Sequence, residues 1–329
     1  MKHLKAKLMA AISMLLVATV MLTSASFAWF SISTKPEVTD IKASLSGNGN
    51  LEVALADENG NAPTNGAGTA KESGYNQKWG NMIDLQKFFN PDGNGSNLLK
   101  LQPAEIKINE TTGEISGYVP SFGLDGRVDS TSPLTPYHVD NSTLSYPFAD
   151  LGGVIGWGPK DIEGGKITGA NRDQVYAFEV DFYVRTNYDQ TPKLTLVRDN
   201  GTKRDNSTNA QKGLGSYITT TALTLVLIDN DTHQTYYLVP DASATDGKYL
   251  LTLKADLTAT DNATIELTPN REKLLKLFVY EDGGQNNAIT LHDAKFDMNI
   301  QFMLDGDPIT SMNRIENGNG RLSGDPFSP

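Results

Sequence analysis

Hydrophobic and polar side chains alternate with a period of two over residues 176–186, YAFEVDFYVRT. Tyr176, Phe178, Val180, Phe182 and Val184 fall on one face of an extended chain, and Ala177, Glu179, Asp181, Tyr183 and Arg185 on the other. The pattern predicts a half-buried strand. Five large side chains on one face require a covering layer, and the polar face is expected to meet solvent. The fold class expected is all-β: a β-sandwich with this strand at its centre, a short helix and a loop-rich insertion.

The rest of the chain is read against that strand. Ile41, Ala43 and Leu45 alternate up to Gly47, Asn48, Gly49 and Asn50, and Leu51, Val53 and Leu55 alternate back, which predicts a hairpin about an Asn-Gly turn. Residues 57–74 are turn formers with hardly an apolar side chain and read as a loop. Met82, Leu85, Phe88 and Phe89 stand at spacings of three and four, predicting a short amphipathic helix over 79–89 that Pro91 ends. Residues 98–174 hold short apolar pieces cut by prolines at 103, 120, 133, 136, 147 and 159, so the loop-rich insertion is expected to run over about 57–174. Further on, 194–197, the pair 218–228 and 235–239, 249–253, 264–267, 275–280 and the alternating Phe296, Met298, Ile300, Phe302 and Leu304 predict strands, with one helical turn at 269–272. The domain is expected to span 29–316, and 317–329 to form a flexible tail.

Composition narrows the function classes. The 329 residues carry a formal charge of -11, which opposes a phosphate backbone, and no basic stripe offsets it, so nucleic acid is not an expected partner. The chain has no cysteine, which excludes disulfides, thiolate metal sites, a cysteine nucleophile and a lipoprotein anchor.

The first 28 residues have the order of a secretory signal peptide: Lys2, Lys5 and Lys7, an apolar run over 8–22, then small residues to Ser26 and Ala28. The run, about 15 residues, is shorter than the ~20 that span a bilayer. Cleavage is expected between Ala28 and Trp29 by a signal peptidase. It would remove three lysines and no acid, taking the formal charge from -11 to -14. An exported chain without cysteine suits a Gram-positive bacterium.

Ser26, Phe27, Ala28, Trp29, Phe30 and Ser31 resemble the cleavage junction of the camelysin and TasA-type biofilm fibre proteins of Gram-positive bacteria. The segments YAFEVDFYVRTN, GLGSYITT, LTLVLID, LLKLFVYEDG and KFDMNIQFML follow one another in an order that resembles a group of uncharacterised secreted proteins from anaerobic Gram-positive bacteria. The first resemblance implies that a dedicated signal peptidase frees an aromatic-rich N-terminus and that a jelly-roll domain assembles into extracellular fibres. Camelysin is described as a metalloprotease, an activity for which this chain carries no HExxH motif.

Candidate chemistry is sparse. His3, His138, His233 and His292 are scattered, and Gly213, Leu214, Gly215, Ser216 lacks the surroundings of a nucleophile elbow. Glu179 and Asp181 resemble the E-x-D core of jelly-roll glycosidases, but Tyr183 holds the third acidic place, so the acid pair is incomplete and a solvated strand face is the better reading. Tyr236, Tyr237, Tyr249 and Tyr280 read as packing residues before sugar-stacking ones. Asp92, Asn94 and Ser96 alternate like calcium ligands, yet Asn97 and Pro103 stand where the loop needs glycine and glutamate, and an Asx-rich turn explains the stretch better. The expectation is no enzyme, no catalytic residue and no cofactor, with calcium at Asp92, Asn94 and Ser96 the one alternative.

Two functions remain. The first is a secreted structural subunit of an extracellular matrix or surface fibre, self-associating through an N-terminal assembly strand that includes Trp29, Phe30 and Ile32. The alternative is a cell-surface adhesin or carbohydrate-binding module taking a cell-wall or glycan ligand on the loops of 98–174.

Overall fold

The computed structural model describes residues 37–46, 51–63, 79, 82–85, 99–109, 111–119, 132–139, 151–168, 174–186, 191–197, 215–244, 247–282, 295–304, 314–316 and 321–323. The expected signal segment, its expected cleavage site at Ala28 and Trp29, the expected assembly strand with Phe30 and Ile32, and the candidate calcium positions Asp92, Asn94 and Ser96 lie outside them.

The all-β expectation holds. The first strands in chain order are β1 (Glu37–Ser46), β2 (Leu51–Leu55), β3 (Met82–Asp84), β4 (Leu99–Lys100), β5 (Pro103–Ile108), β6 (Ile115–Val119), β7 (Ser132–His138), β8 (Val154–Pro159) and β9 (Ala177–Thr186). There follow β10 (Lys193–Leu196), β11 (Tyr217–Ile218), β12 (Leu223–Asp229), β13 (Thr235–Pro240), β14 (Tyr249–Lys254), β15 (Ile265–Glu266), β16 (Lys273–Asp282) and β17 (Lys295–Leu304). Hydrogen bonds link these seventeen strands into one network, and among the described residues β18 (Arg314–Glu316) and β19 (Arg321–Ser323) pair with each other.

β9 is the hub. It pairs antiparallel with β16 over eight positions along one edge, and its other edge is shared by β8 and β2. The period-two prediction for its apolar face holds: Phe178, Val180, Phe182 and Val184 join Leu275, Leu277 and Val279 of β16, Leu223, Leu225 and Leu227 of β12, and Met298, Ile300 and Phe302 of β17 in the main core. The rings of Phe182 and Phe302 lie 6.0 Å apart.

The predicted solvated face does not exist. Residues 177–182 are buried without interruption, because β5, β6, β7, β8, β9 and β16 pair in turn and close into a six-stranded ring on that side. A second core fills it, built from Ala104, Leu134, Trp157, Ala177, Val226, Ile228, Phe278 and Tyr280. At Gly117 in β6, a Cβ would come within 3.1 Å of both Ile106 and Leu134, so the missing side chain lets β5, β6 and β7 close over these two residues.

Within the described parts of 98–174, strands β4 to β8 stand where loops were expected. Prolines suggested interruption, but Pro103 opens β5, Pro159 ends β8 and Pro133 is the second residue of β7, positions near strand ends where a missing N–H is tolerated, while Pro136 stands inside β7 opposite Trp157. The β5–β6 hairpin turns on Asn109, whose Oδ1 accepts from Thr111 N and Thr112 N at 3.0 and 3.2 Å, and on Gly113 at φ 69.

Three local expectations also change. The helix predicted over 79–89 is overturned where it is described: Met82–Asp84 is a strand paired with β1, while Trp79, Ile83 and Leu85 are buried. Long-range pairing outweighs a spacing seen in only four side chains. The β1–β2 hairpin is absent: β1 pairs in parallel with β17, and β2 pairs with β9. Residues 269–272 form a turn with Asn270 at φ 56, not a helical turn. The hairpin predicted about Asp229 is found between β12 and β13, with Asp229 Oδ1 accepting from Asp231 N at 3.0 Å, but its first strand, predicted over 218–228, is split, and β11 pairs with β14 and β17.

Candidate functional site

The polar stripe of β9 places two buried carboxyl groups, Glu179 and Asp181, beside Lys276. Because β9 and β16 are antiparallel neighbours, Lys276 stands directly opposite Asp181 and diagonal to Glu179. Lys276 Nζ lies 3.0 Å from Glu179 Oε1 and 3.2 Å from Asp181 Oδ2. Trp157 of β8, diagonal to Glu179 on the other side, donates from Nε1 to Glu179 Oε2 at 3.0 Å. Its ring meets Phe278 edge-on at 6.1 Å.

The carboxylates are more buried than the cation. Side-chain exposure is 5% for Glu179, 8% for Asp181 and 23% for Lys276. Asp181 Oδ1 has no hydrogen-bond partner among the described residues. Burial first, and then the neighbouring Glu179, push the Asp181 carboxyl up to about 8, although Lys276 pulls the other way. Burial works against the charge on Lys276, but its contacts with Glu179 and Asp181 outweigh it and hold its pKa above the ordinary value. Burial thus favours the protonated form of Asp181, beside a Lys276 ammonium that touches both Asp181 and Glu179.

Asp181 is pinned on both sides. Its N–H donates to Gly153 O at 2.8 Å and its carbonyl accepts from Ala56 N at 2.9 Å. A Cβ on Gly153 would collide with that carbonyl. The stripe continues through Tyr183, whose hydroxyl donates to Gly60 O at 2.7 Å, to Arg185, which donates from Nε to Glu52 Oε2 at 2.7 Å and stacks 4.0 Å over the Trp79 ring. Tyr183 therefore serves as a strut to the loop after β2, in the place where a glycosidase would carry an acid.

The other candidates are dispersed through the fold. Ser216 is buried, and its Oγ donates to Gln301 O and accepts from Gln301 N, stitching the chain before β11 to β17. His138 faces Gly152 O at 3.2 Å, and His233 occupies the β12–β13 turn at φ 60. His3 and His292 lie outside the described residues. Tyr236 and Tyr280 are buried, and Tyr237 and Tyr249 pack against the cores. Among the described residues no group of three or more histidines and carboxylates is placed to hold a metal.

Sequence reasoning reached Glu179 and Asp181 but missed Lys276, Trp157 and Glu281. Lys276 interrupts an otherwise apolar run, LLKLFVY, and a lysine within such a strand is a legible signal once both faces are known to be covered. Glu281 is fully buried at the end of β16, and neither carboxylate oxygen has a partner among the described residues. Burial alone pushes its carboxyl up to about 8. Comparison of the chain with family models, with curated proteins and with solved structures returns no match.

Proposed function

We propose that the chain is a secreted structural subunit of an extracellular matrix or surface fibre, with a jelly-roll-like β-sandwich as its body. One observation carries this reading. The polar side chains of β9, the best-placed chemistry in the fold, are engaged in the fold's own contacts: Glu179 with Trp157 and Lys276, Asp181 with Lys276, Tyr183 with Gly60, and Arg185 with Glu52. A stripe so occupied supports a mechanical role over a catalytic one. The export-type N-terminus and its resemblance to fibre proteins support the location.

Assembly is assigned to the segment that cleavage after Ala28 would free. The sequence pattern predicts an apolar strand with Trp29, Phe30 and Ile32, ended by Pro36, and a neighbouring subunit's sheet edge would take it by strand addition. Burying Phe30 and Ile32 contributes ~1.5 to 3 kcal/mol each. Electron microscopy of the purified chain starting at Trp29 tests both parts. Filaments that disappear on deletion of residues 29–33, leaving a folded monomer, are expected. Monodisperse particles from the undeleted chain would favour the adhesin reading, and filaments that persist after deletion would reject the assembly strand.

A further inference from the structure

We propose that Lys276 and Asp181 condense into an intramolecular amide, a covalent cross-link between β16 and β9, with Glu179 as the proton carrier. Three features place the reactants. The amine and the acid face each other on adjacent strands, with Nζ 3.2 Å from Oδ2, and the register of eight paired positions holds them there. Asp181 is buried, its backbone is fixed from both sides by Gly153 and Ala56, and its Oδ1 has no partner among the described residues. Glu179 touches the same amine at 3.0 Å and is oriented by Trp157.

The step balances within the cluster. The Lys276 ammonium passes a proton to the Glu179 carboxylate and becomes a neutral nucleophile. Its lone pair attacks Cγ of the protonated Asp181 carboxyl, forming the C–N bond. Glu179 returns its proton to the departing hydroxyl, which leaves as water as the C–O bond breaks, and takes up the second proton of the amine. The ion pair is replaced by a neutral amide, one water and a neutral Glu179, with no oxidant or co-reactant. Burial favours this direction, since it removes two charges from a desolvated site, and the 23% exposure of Lys276 leaves the water a way out. The raised pKa of Asp181 supplies the protonated leaving group at neutral pH.

A second lysine on β16, buried Lys273, serves as an internal comparison. Lys273 Nζ lies 2.7 Å from Asp229 Oδ2, closer than the reacting pair. Asp229 Oδ1, however, accepts from Asp231 N and Thr232 N, whereas Asp181 Oδ1 has no partner among the described residues. No cross-link is expected at the Lys273 pair. A chain without cysteine has no disulfide to constrain its unfolded state, and an amide between positions 181 and 276 would do so in the same way. A monomer would carry it as well as a fibre subunit.

The test is denaturing mass spectrometry with a tryptic map on the full chain, shown by circular dichroism to be folded. The intact mass should fall short of the sequence by one water. Trypsin should leave Lys276 uncut and yield peptide 173–185 joined to 274–295, while cutting after Lys273. Lys276→Arg and Glu179→Gln should both restore the full mass. Folded wild-type protein at full mass, cleaved after Lys276, would overturn the cross-link. A Glu179→Gln chain that still lacks one water would overturn the role given to Glu179.

Discussion

Glu281 shows how one side chain can weigh on the fold. Both its oxygens are buried without a partner among the described residues, and its pKa rises to about 8, so the folded state holds a proton that the unfolded state releases above ~4.3. For a carboxyl whose folded pKa is raised, stability is greatest below the unfolded value, declines as pH rises between the two, and is level above the folded value. Glu281→Met removes the polar group at similar volume. We expect it to raise unfolding free energy at pH 7 by roughly 1–3 kcal/mol and to flatten the decline between about pH 4.5 and 8. Urea titrations of wild type and variant across that range check it, and a variant with an unchanged slope would show that Glu281 does not titrate in the folded chain. The paired case is Arg185, held by Glu52 at 2.7 Å and by the Trp79 face. Arg185→Lys keeps the charge but loses the planar stack, and a loss of about 0.5–2 kcal/mol in thermal unfolding is expected.

At the level of elements, the crossing of β9 by the turn before β8 is the tightest backbone approach around the cluster. Gly153 sits over Asp181 O and 3.0 Å from Ala56 N and O, reckoned from the position of an added Cβ. The backbone on either side is held by hydrogen bonds and cannot step aside at no cost. Gly153→Ala should therefore cost about 1–3 kcal/mol, read by thermal denaturation. Gly60→Ala, at φ 76 with nothing near the new methyl, should cost only about 1 kcal/mol of backbone strain. Equal losses at the two sites would show that the crossing is looser than its geometry. The same scale explains why local patterns misled. An Asn-Gly stretch between two alternating runs specifies a reversal of the chain but not the partner, and here β1 went to β17 and β2 to β9. Prolines near strand ends look in sequence like prolines in loops.

Across the whole molecule, β9 and β16 serve two cores at once, with Leu277 facing the main core and Phe278 the ring. Neither core can lose its wall without opening the other. Unfolding of the described body should be a single transition, with near-UV and far-UV circular dichroism coincident. Leu277→Ala and Phe278→Ala should each lower the stability of that one transition, by about 2–5 and 3–5 kcal/mol. A variant in which one signal melts before the other would separate the cores. The sequence by itself determined the all-β class, the course of β9, the β12–β13 hairpin with its Asp229 turn, and the alternation of Met298, Ile300 and Phe302, because period-two burial and Asx-turn chemistry are written in neighbouring residues. Only the tertiary structure decided that the polar face of β9 is interior. That depends on β5 reaching β16 and closing a ring, a pairing between positions 103 and 281 that no local pattern encodes. The same closure turned Glu179 and Asp181 from a solvated edge into a desolvated cluster with Lys276, since a charge's chemistry is set by what covers it, and the cover comes from strands remote in the chain.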